Sequence, residues 1–430
     1  MKKTIFLIAL VTLFFSLAAK SDEGTAADVN DPRGKMQPWD KGAWETGKYR
    51  NVFLEAGYKQ EDIDKKLAKA YSDLFEGPNR VYFEVGDDMA YVSDLKNHDA
   101  RTEGLSYGMM VAVQLNKKDV FDRLWRWTVK YMQHHGGASD AYFAWSVNPQ
   151  AGRQNSPGSA SDGEFYFVTD LLFASNRWGN DTGINYYDEA KKILDAMWSK
   201  NGTQGVTNVI NVEHKLITFT PDTRGYTYTD PSYHLPAFFE VWAKYAKDGH
   251  EQFYLECAEA SRAFLHNACS SETGLNADQT GFDGTPRRNS TFRFDSWRVP
   301  MNIALDYSWS CKDEEWQQDY CRRIQNFLFS KGIDTFDDQF NLDGSRPQWI
   351  LPAGGYQRLR HSLGLVGSSA AASLMGTQAK SWKFVDAVWN AKLEPYSDGY
   401  FDPYYDGFLY LFSLMHLSGN YRIIQPVMSQ

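Results

Sequence analysis

The chain is expected to fold as an all-α protein, an (α/α)6 barrel of six outer–inner helical hairpins with one small β-hairpin insertion. Three observations predict this. Apolar residues recur at helical spacing in twelve segments. Those segments alternate between amphipathic ones with charged faces and ones that are apolar nearly all round, as helices facing solvent and helices buried inside should differ. Only one stretch reads as strand.

The elements follow in chain order. Met1-Lys2-Lys3 and the apolar run 4–19 (TIFLIALVTLFFSLAA), ending in small residues before a polar SDEG, read as a secretory signal peptide. The run is too short for a membrane helix, and no later stretch approaches the ~20 apolar residues of a span. An exported protein, periplasmic or secreted, without membrane insertion is expected. Residues 20–50 are polar and contain Gly, Pro and Lys, as a linker or wrapping arm would. Residues 51–425 show no low-complexity break, so one large closed domain is expected. Helices are predicted at 61–76, 104–116, 119–134, 163–177, 186–199, 233–247, 250–268, 296–309, 314–330, 362–375, 380–392 and 404–418. In 186–199, for instance, Ala190, Ile193, Leu194, Met197 and Trp198 share one face. The segments 104–116, 163–177, 233–247, 296–309, 362–375 and 404–418 are rich in Gly, Ala and aromatics and would form the inner ring. The strand material is VYFEV (81–85) and AYVSDL (90–95), joined through Gly86-Asp87-Asp88 as a hairpin.

Composition narrows the function. A net charge of −9 without a Lys/Arg cluster argues against nucleic acid. Trp 14, Tyr 25 and Phe 27 are more rings than a core needs, since each Trp and Tyr must also place a polar tip. An acidic, aromatic-rich, exported chain suggests a ligand with faces to stack on, sugars first. Cys257, Cys269, Cys311 and Cys321 allow disulfides or buried thiols, and their spacings fit no zinc pattern. No G-x-S-x-G elbow, H-E-x-x-H or P-loop occurs, and neither metal nor cofactor is expected.

Unusual polar residues fall where the inner helices begin: Glu103, Asp162, Tyr233, Asp295, His361, and the pair Tyr404 and Tyr405. If outer and inner helices alternate in direction, the inner N-termini meet at one end and these residues converge. Any one Asp could be an ordinary N-cap. Three carboxylates at one basin suit glycoside hydrolysis, which needs one acid to protonate the leaving oxygen and one carboxylate as base or nucleophile.

The strings R-T-E-G-L-S-Y-G-M-M (101–110), A-S-D-G-E-F-Y-F-V-T-D-L-L-F-A-S-N-R-W-G (160–179) and F-R-F-D-S-W-R-V-P-M-N-I-A-L-D-Y (292–307) resemble glycoside hydrolase family 8. Within that family the chain most resembles the reducing-end xylose-releasing exo-oligoxylanases, notably at V-G-D-D-M-A-Y (85–91) and D-P-S-Y-H-L-P (230–236). The resemblance implies inverting chemistry on xylo-oligosaccharides, with Glu103 as general acid and Asp295 as general base. It implies that Asp162 holds the sugar at the cleavage point, Tyr233 helps place the water, Arg298 braces the region and Trp145 offers a stacking platform. His361 falls near the loop that blocks the groove in exo-acting members. There this chain reads Leu359-Arg360-His361-Ser362 in place of a Leu-His-Pro-like kink. Endo-acting xylanase or β-glucanase action, or non-catalytic glycan binding, are the alternatives. A monomer is expected. Glu103 must keep its proton although a helix N-terminus favours the anion. Desolvation by aromatics and repulsion from Asp162 must therefore prevail.

Overall fold

The computed structural model describes residues 28–200, 202–352 and 357–427. The predicted signal peptide lies outside them. All twelve predicted helices are present: α1 Gln60–Phe75, α2 Thr102–Gln114, α3 Lys118–Tyr131, α4 Ser161–Trp178, α5 Tyr186–Ser199, α6 Pro236–Tyr245, α7 Glu251–Ala268, α8 Arg298–Trp309, α9 Glu314–Ser330, α10 Leu363–Ala371, α11 Ser381–Asn390 and α12 Tyr405–Leu417. The even-numbered helices form the inner ring. Almost every residue of α2, α8, α10 and α12 is buried, so these helices are apolar all round. The odd-numbered helices bury one stripe each, as Ile63, Ala70, Tyr71 and Leu74 do on α1.

Each inner helix turns back into the next outer helix through a short link, and α1 packs on α12 to close the circle. The links from outer to inner helices are long, and all arrive at the inner N-termini. One end of the barrel therefore carries the loops. At the other end the C-terminal segment crosses the inner C-termini. The Gln114 side chain pairs with the Arg422 backbone in both directions, the Asn176 amide donates to the Ile424 carbonyl, and Trp309 Nε1 donates to the Tyr421 carbonyl.

Rings from four inner helices meet one another. Tyr107 meets Tyr166 and Phe412 with centroids 5.1 and 5.2 Å apart, and Tyr166 meets Phe238 at 4.9 Å, all edge-on. Such edge-to-face pairs are worth ~0.5–1.5 kcal/mol each beyond the area they bury.

The predicted hairpin is β1 Tyr82–Val85 with β2 Met89–Val92, antiparallel, Tyr82 facing Val92. It ends at Val92 rather than residue 95, because Asp94 turns away to pair with Asp99. Two further small sheets escape the periodicity: β3 Ala100–Arg101, β4 Ser146–Asn148 and β5 Arg153–Ser156 in one, and β6 Ile210–Asn211 with β7 Leu216–Ile217 in the other. Strands this short, one reading Arg-Gln-Asn-Ser, carry no alternation to detect.

Residues 28–50 lie along the barrel. Asp28 accepts the Ala379 and Lys380 N–H groups, Arg33 forks onto Asp31 and Asp386, and Arg50 donates to the Leu374 carbonyl. All four cysteines are free thiols, three of them buried. Among the described residues, no helix is long and apolar enough to cross a membrane.

Candidate active site

The site is assembled from first turns. Glu103 lies in the first turn of α2 and Asp162 in that of α4. Asp295 sits on the 3-10 turn Phe294–Trp297 that leads into α8, and Tyr233 on the 3-10 turn Pro231–Tyr233 before α6. Neither Glu103 nor Asp162 is an N-cap; Arg101 and Ala160 hold those places. Both acids are followed by glycine, for a steric reason. A Cβ on Gly104 would stand 2.5 Å from the Tyr404 ring, and one on Gly163 would stand 2.5 Å from the Thr102 side chain. Without those Cβ atoms α2 can approach both α12 and α4 closely enough for their acids to meet.

Arg298, the first residue of α8, binds the three carboxylates together. Its Nη1 donates to Glu103 Oε2 and Asp162 Oδ2, both at 3.1 Å, and to the Tyr107 hydroxyl at 2.8 Å. Its Nη2 donates to Ser232 Oγ at 2.8 Å and lies 3.1 Å from Asp295 Oδ1. Arg298 is 3% exposed, and its rigid guanidinium fork suits it to this multiple task. Tyr404 donates its hydroxyl to the other Glu103 oxygen at 2.8 Å, and Tyr405 donates to the Phe294 carbonyl at 3.1 Å. Tyr233 lays its ring 5.6 Å from the Arg298 guanidinium and parallel to Phe219.

The carboxylates are not equivalent. The Glu103 side chain is 16% exposed and that of Asp295 41%. Burial pushes Glu103 up to about 7, with repulsion from Asp295 and then Asp162 adding to it, while Arg298 and Arg101 oppose. Asp162 is also raised, chiefly by burial. Desolvation thus outweighs the helix end, and Asp295 is the stronger repelling neighbour.

Glu103, Asp295, Tyr404 and Tyr405 face a shared cavity of ≈ 390 Å³, whose wall also carries Asp94, Arg101, Asp338, Arg360, Asp402 and Asp406. Trp145 is outside that wall. It touches the site through Arg101, which lies 5.4 Å from its ring, and through its carbonyl, which accepts the Thr102 N–H. His361 is not brought in. Its Nδ1 is 3.0 Å from the Phe336 carbonyl, and it opens on a separate cavity with Ile333, Lys383, Asp386 and Tyr396. Arg360 and Ser362, on either side of it, line the site cavity, whereas His361 lines the other one. Among the described residues, no group of three or more His, Cys, Asp or Glu side chains could hold a metal ion.

Tyr107 and Ser232 are site residues that sequence reasoning missed. Tyr107 had a signal, being four residues after Glu103 on the same helix face. Asp338, Arg360 and Asp402 come from long loops and had none.

Residues 91–346 match the family description "Glycosyl hydrolases family 8". The chain is 41% identical to the reducing-end xylose-releasing exo-oligoxylanase Rex8A of Paenibacillus barcinonensis, over 89% of this chain and 98% of that protein. It is 39% identical to the reducing end xylose-releasing exo-oligoxylanase of Halalkalibacterium halodurans, over 91% and 98%. A crystal structure of a reducing end xylose-releasing exo-oligoxylanase superposes with a TM-score of 0.82 at 39% identity, covering 90% of this chain and 99% of that one. The barrel, the acids at its loop-bearing end and these likenesses agree: the chain belongs to glycosyl hydrolase family 8.

Proposed function

We infer that the protein hydrolyses β-1,4-xylosidic bonds in xylo-oligosaccharides with inversion, releasing xylose from the reducing end. Relatives at 36–41% identity bear that activity in their names. The observation that carries the mechanism is the Arg298 fork, which gathers Glu103, Asp162 and Asp295 at one point, where burial lifts Glu103 to about 7 against the pull of that cation.

Glu103 donates its proton to the glycosidic oxygen. Asp295, the more open carboxylate, draws a proton from a water that attacks the anomeric carbon from the opposite face. Inversion requires the two carboxyls roughly 6.5–9.5 Å apart to admit that water. Tyr233 helps hold the water, and Asp162, kept in place by Arg298, binds the sugar at the cleavage point. After one turnover Glu103 is ionised and Asp295 protonated, and exchange with solvent resets both.

The signal-like run at 4–19 supports export, and the enzyme acts on soluble oligosaccharides as a monomer. Product analysis on xylotriose and xylohexaose labelled at the reducing end tests the reading, with proton NMR of the fresh products. Labelled xylose and a new α-anomer are expected. A rapid fall in the viscosity of polymeric xylan, or an initial β-anomer, refutes it.

A further inference from the structure

Asp230 is a fourth acid at this centre, and the reaction as described makes no use of it. It is 1% exposed and stands before the 3-10 turn Pro231–Tyr233. Its Oδ1 accepts the Ser232 N–H at 2.8 Å, and its carbonyl accepts the Tyr233 N–H at 3.0 Å. Ser232 in turn touches α8 twice: its hydroxyl accepts from Arg298 Nη2, and its carbonyl accepts from the Asn302 amide, each at 2.8 Å. Tyr233, the next residue, stacks beside the same guanidinium. One carboxyl therefore ties down the turn that presents both Ser232 and Tyr233 to Arg298.

We propose that Asp230 is a positioning residue for the hydrolysis: it caps the Ser232–Tyr233 turn, and through that turn sets Arg298 beneath Glu103, Asp162 and Asp295. It does so as a neutral acid. Its second oxygen, Oδ2, is buried without a protein hydrogen bond, a costly place for a charge. The charged and titratable groups around it are Asp295, Arg298, Tyr228 and Tyr233; burial and the Asp295 charge push Asp230 up, and Arg298 opposes. A neutral carboxyl still accepts the Ser232 N–H, though more weakly than an ionised one, and adds no further negative charge beside Asp295.

The proposal rests on Glu103 being the acid, and its test separates the two. The wild-type alkaline limb of kcat/KM reports on Glu103; only the difference between wild type and variant reports on Asp230. Asp230→Asn keeps the acceptor, so its kcat should stay within about threefold of wild type, with an unchanged pH profile. Asp230→Ala loosens the turn. Its kcat should fall about 30-fold or more with little change in KM, and its alkaline limb should move upward as Arg298 loses its hold near Glu103. Ser232→Ala, which removes only the hydroxyl link to Arg298, should show the same upward shift with a smaller loss and serves if Asp230→Ala does not fold. An unmoved limb in the folded Ala variants overturns the positioning role. An Asn variant as damaged as the Ala one, with a displaced acid limb, overturns the neutral state.

Discussion

Replacing Glu103 by Gln should do two separable things. The amide has the same shape, and it can turn its oxygen to Arg298 and its NH2 to the Tyr404 hydroxyl. The site geometry should therefore survive while the transferable proton is lost. The kcat should fall by about 10²–10⁴, the range for removing a general acid. Stability should respond in a way that depends on pH. The Glu103 carboxyl is raised from 4.5 to about 7 in the fold. Each pK unit is worth ~1.4 kcal/mol, so holding this group ionised costs the fold about 3 kcal/mol. Below about pH 4.5 folded and unfolded chains both carry the proton, and the group has no effect. Between about 4.5 and 7 the unfolded chain releases it and the folded chain keeps it, so wild-type stability falls as pH rises; above 7 the full penalty is present. Glu103→Gln lacks the penalty. Its stability relative to wild type should climb from near zero at pH 4 to about 3 kcal/mol at pH 8. Urea unfolding of both proteins across that range measures the difference directly. A difference that stays flat with pH, in a variant keeping more than a tenth of the wild-type rate, would falsify both the proton assignment and its cause.

Other expectations follow from the same geometry. Wild-type kcat/KM should decline on the alkaline side with an apparent pKa near 7, as Glu103 loses its proton; a limb above 9 in a pH–rate profile contradicts this. Arg298→Met strands three carboxyls without their shared cation, and loss of a buried charge partner costs ~3–5 kcal/mol in a chemical-denaturation titration. Gly104→Ala drives a methyl against the Tyr404 ring and should break the Tyr404–Glu103 bond, lowering kcat at least tenfold in steady-state assays. His361→Ala should leave kcat/KM on xylotriose within about twofold, because the ring faces another cavity; a large loss would return it to the site.

Much of the architecture was legible along the chain. Helical periodicity is local, so all twelve helices could be placed, and the contrast between charged and apolar segments sorted outer from inner before any contact was known. The acids at the inner-helix starts were visible for the same reason. Boundaries were less so. In the segment 233–247 a 3-10 turn ends at Tyr233 and the α-helix starts only at Pro236, and 362–375 ends as a 3-10 turn. Backbone hydrogen bonds chosen by neighbours set those limits.

What only the tertiary structure decided is which of these residues act on one another. Arg298 stands in the sequence as one arginine after an Asp; packing of α2, α4 and α8 around one axis makes it the ligand of three carboxylates. Whether Glu103 keeps its proton depends on how much water reaches it, and that is set by Tyr404, Tyr107 and the distant loops over the barrel mouth. His361, equally well placed in the sequence, packs against Phe336 and opens on a different cavity. Periodicity records what each residue must hide from water, and so it names the helices and their buried faces. Charge, proton affinity and reach depend on neighbours far apart in sequence, and those the closed ring alone supplies.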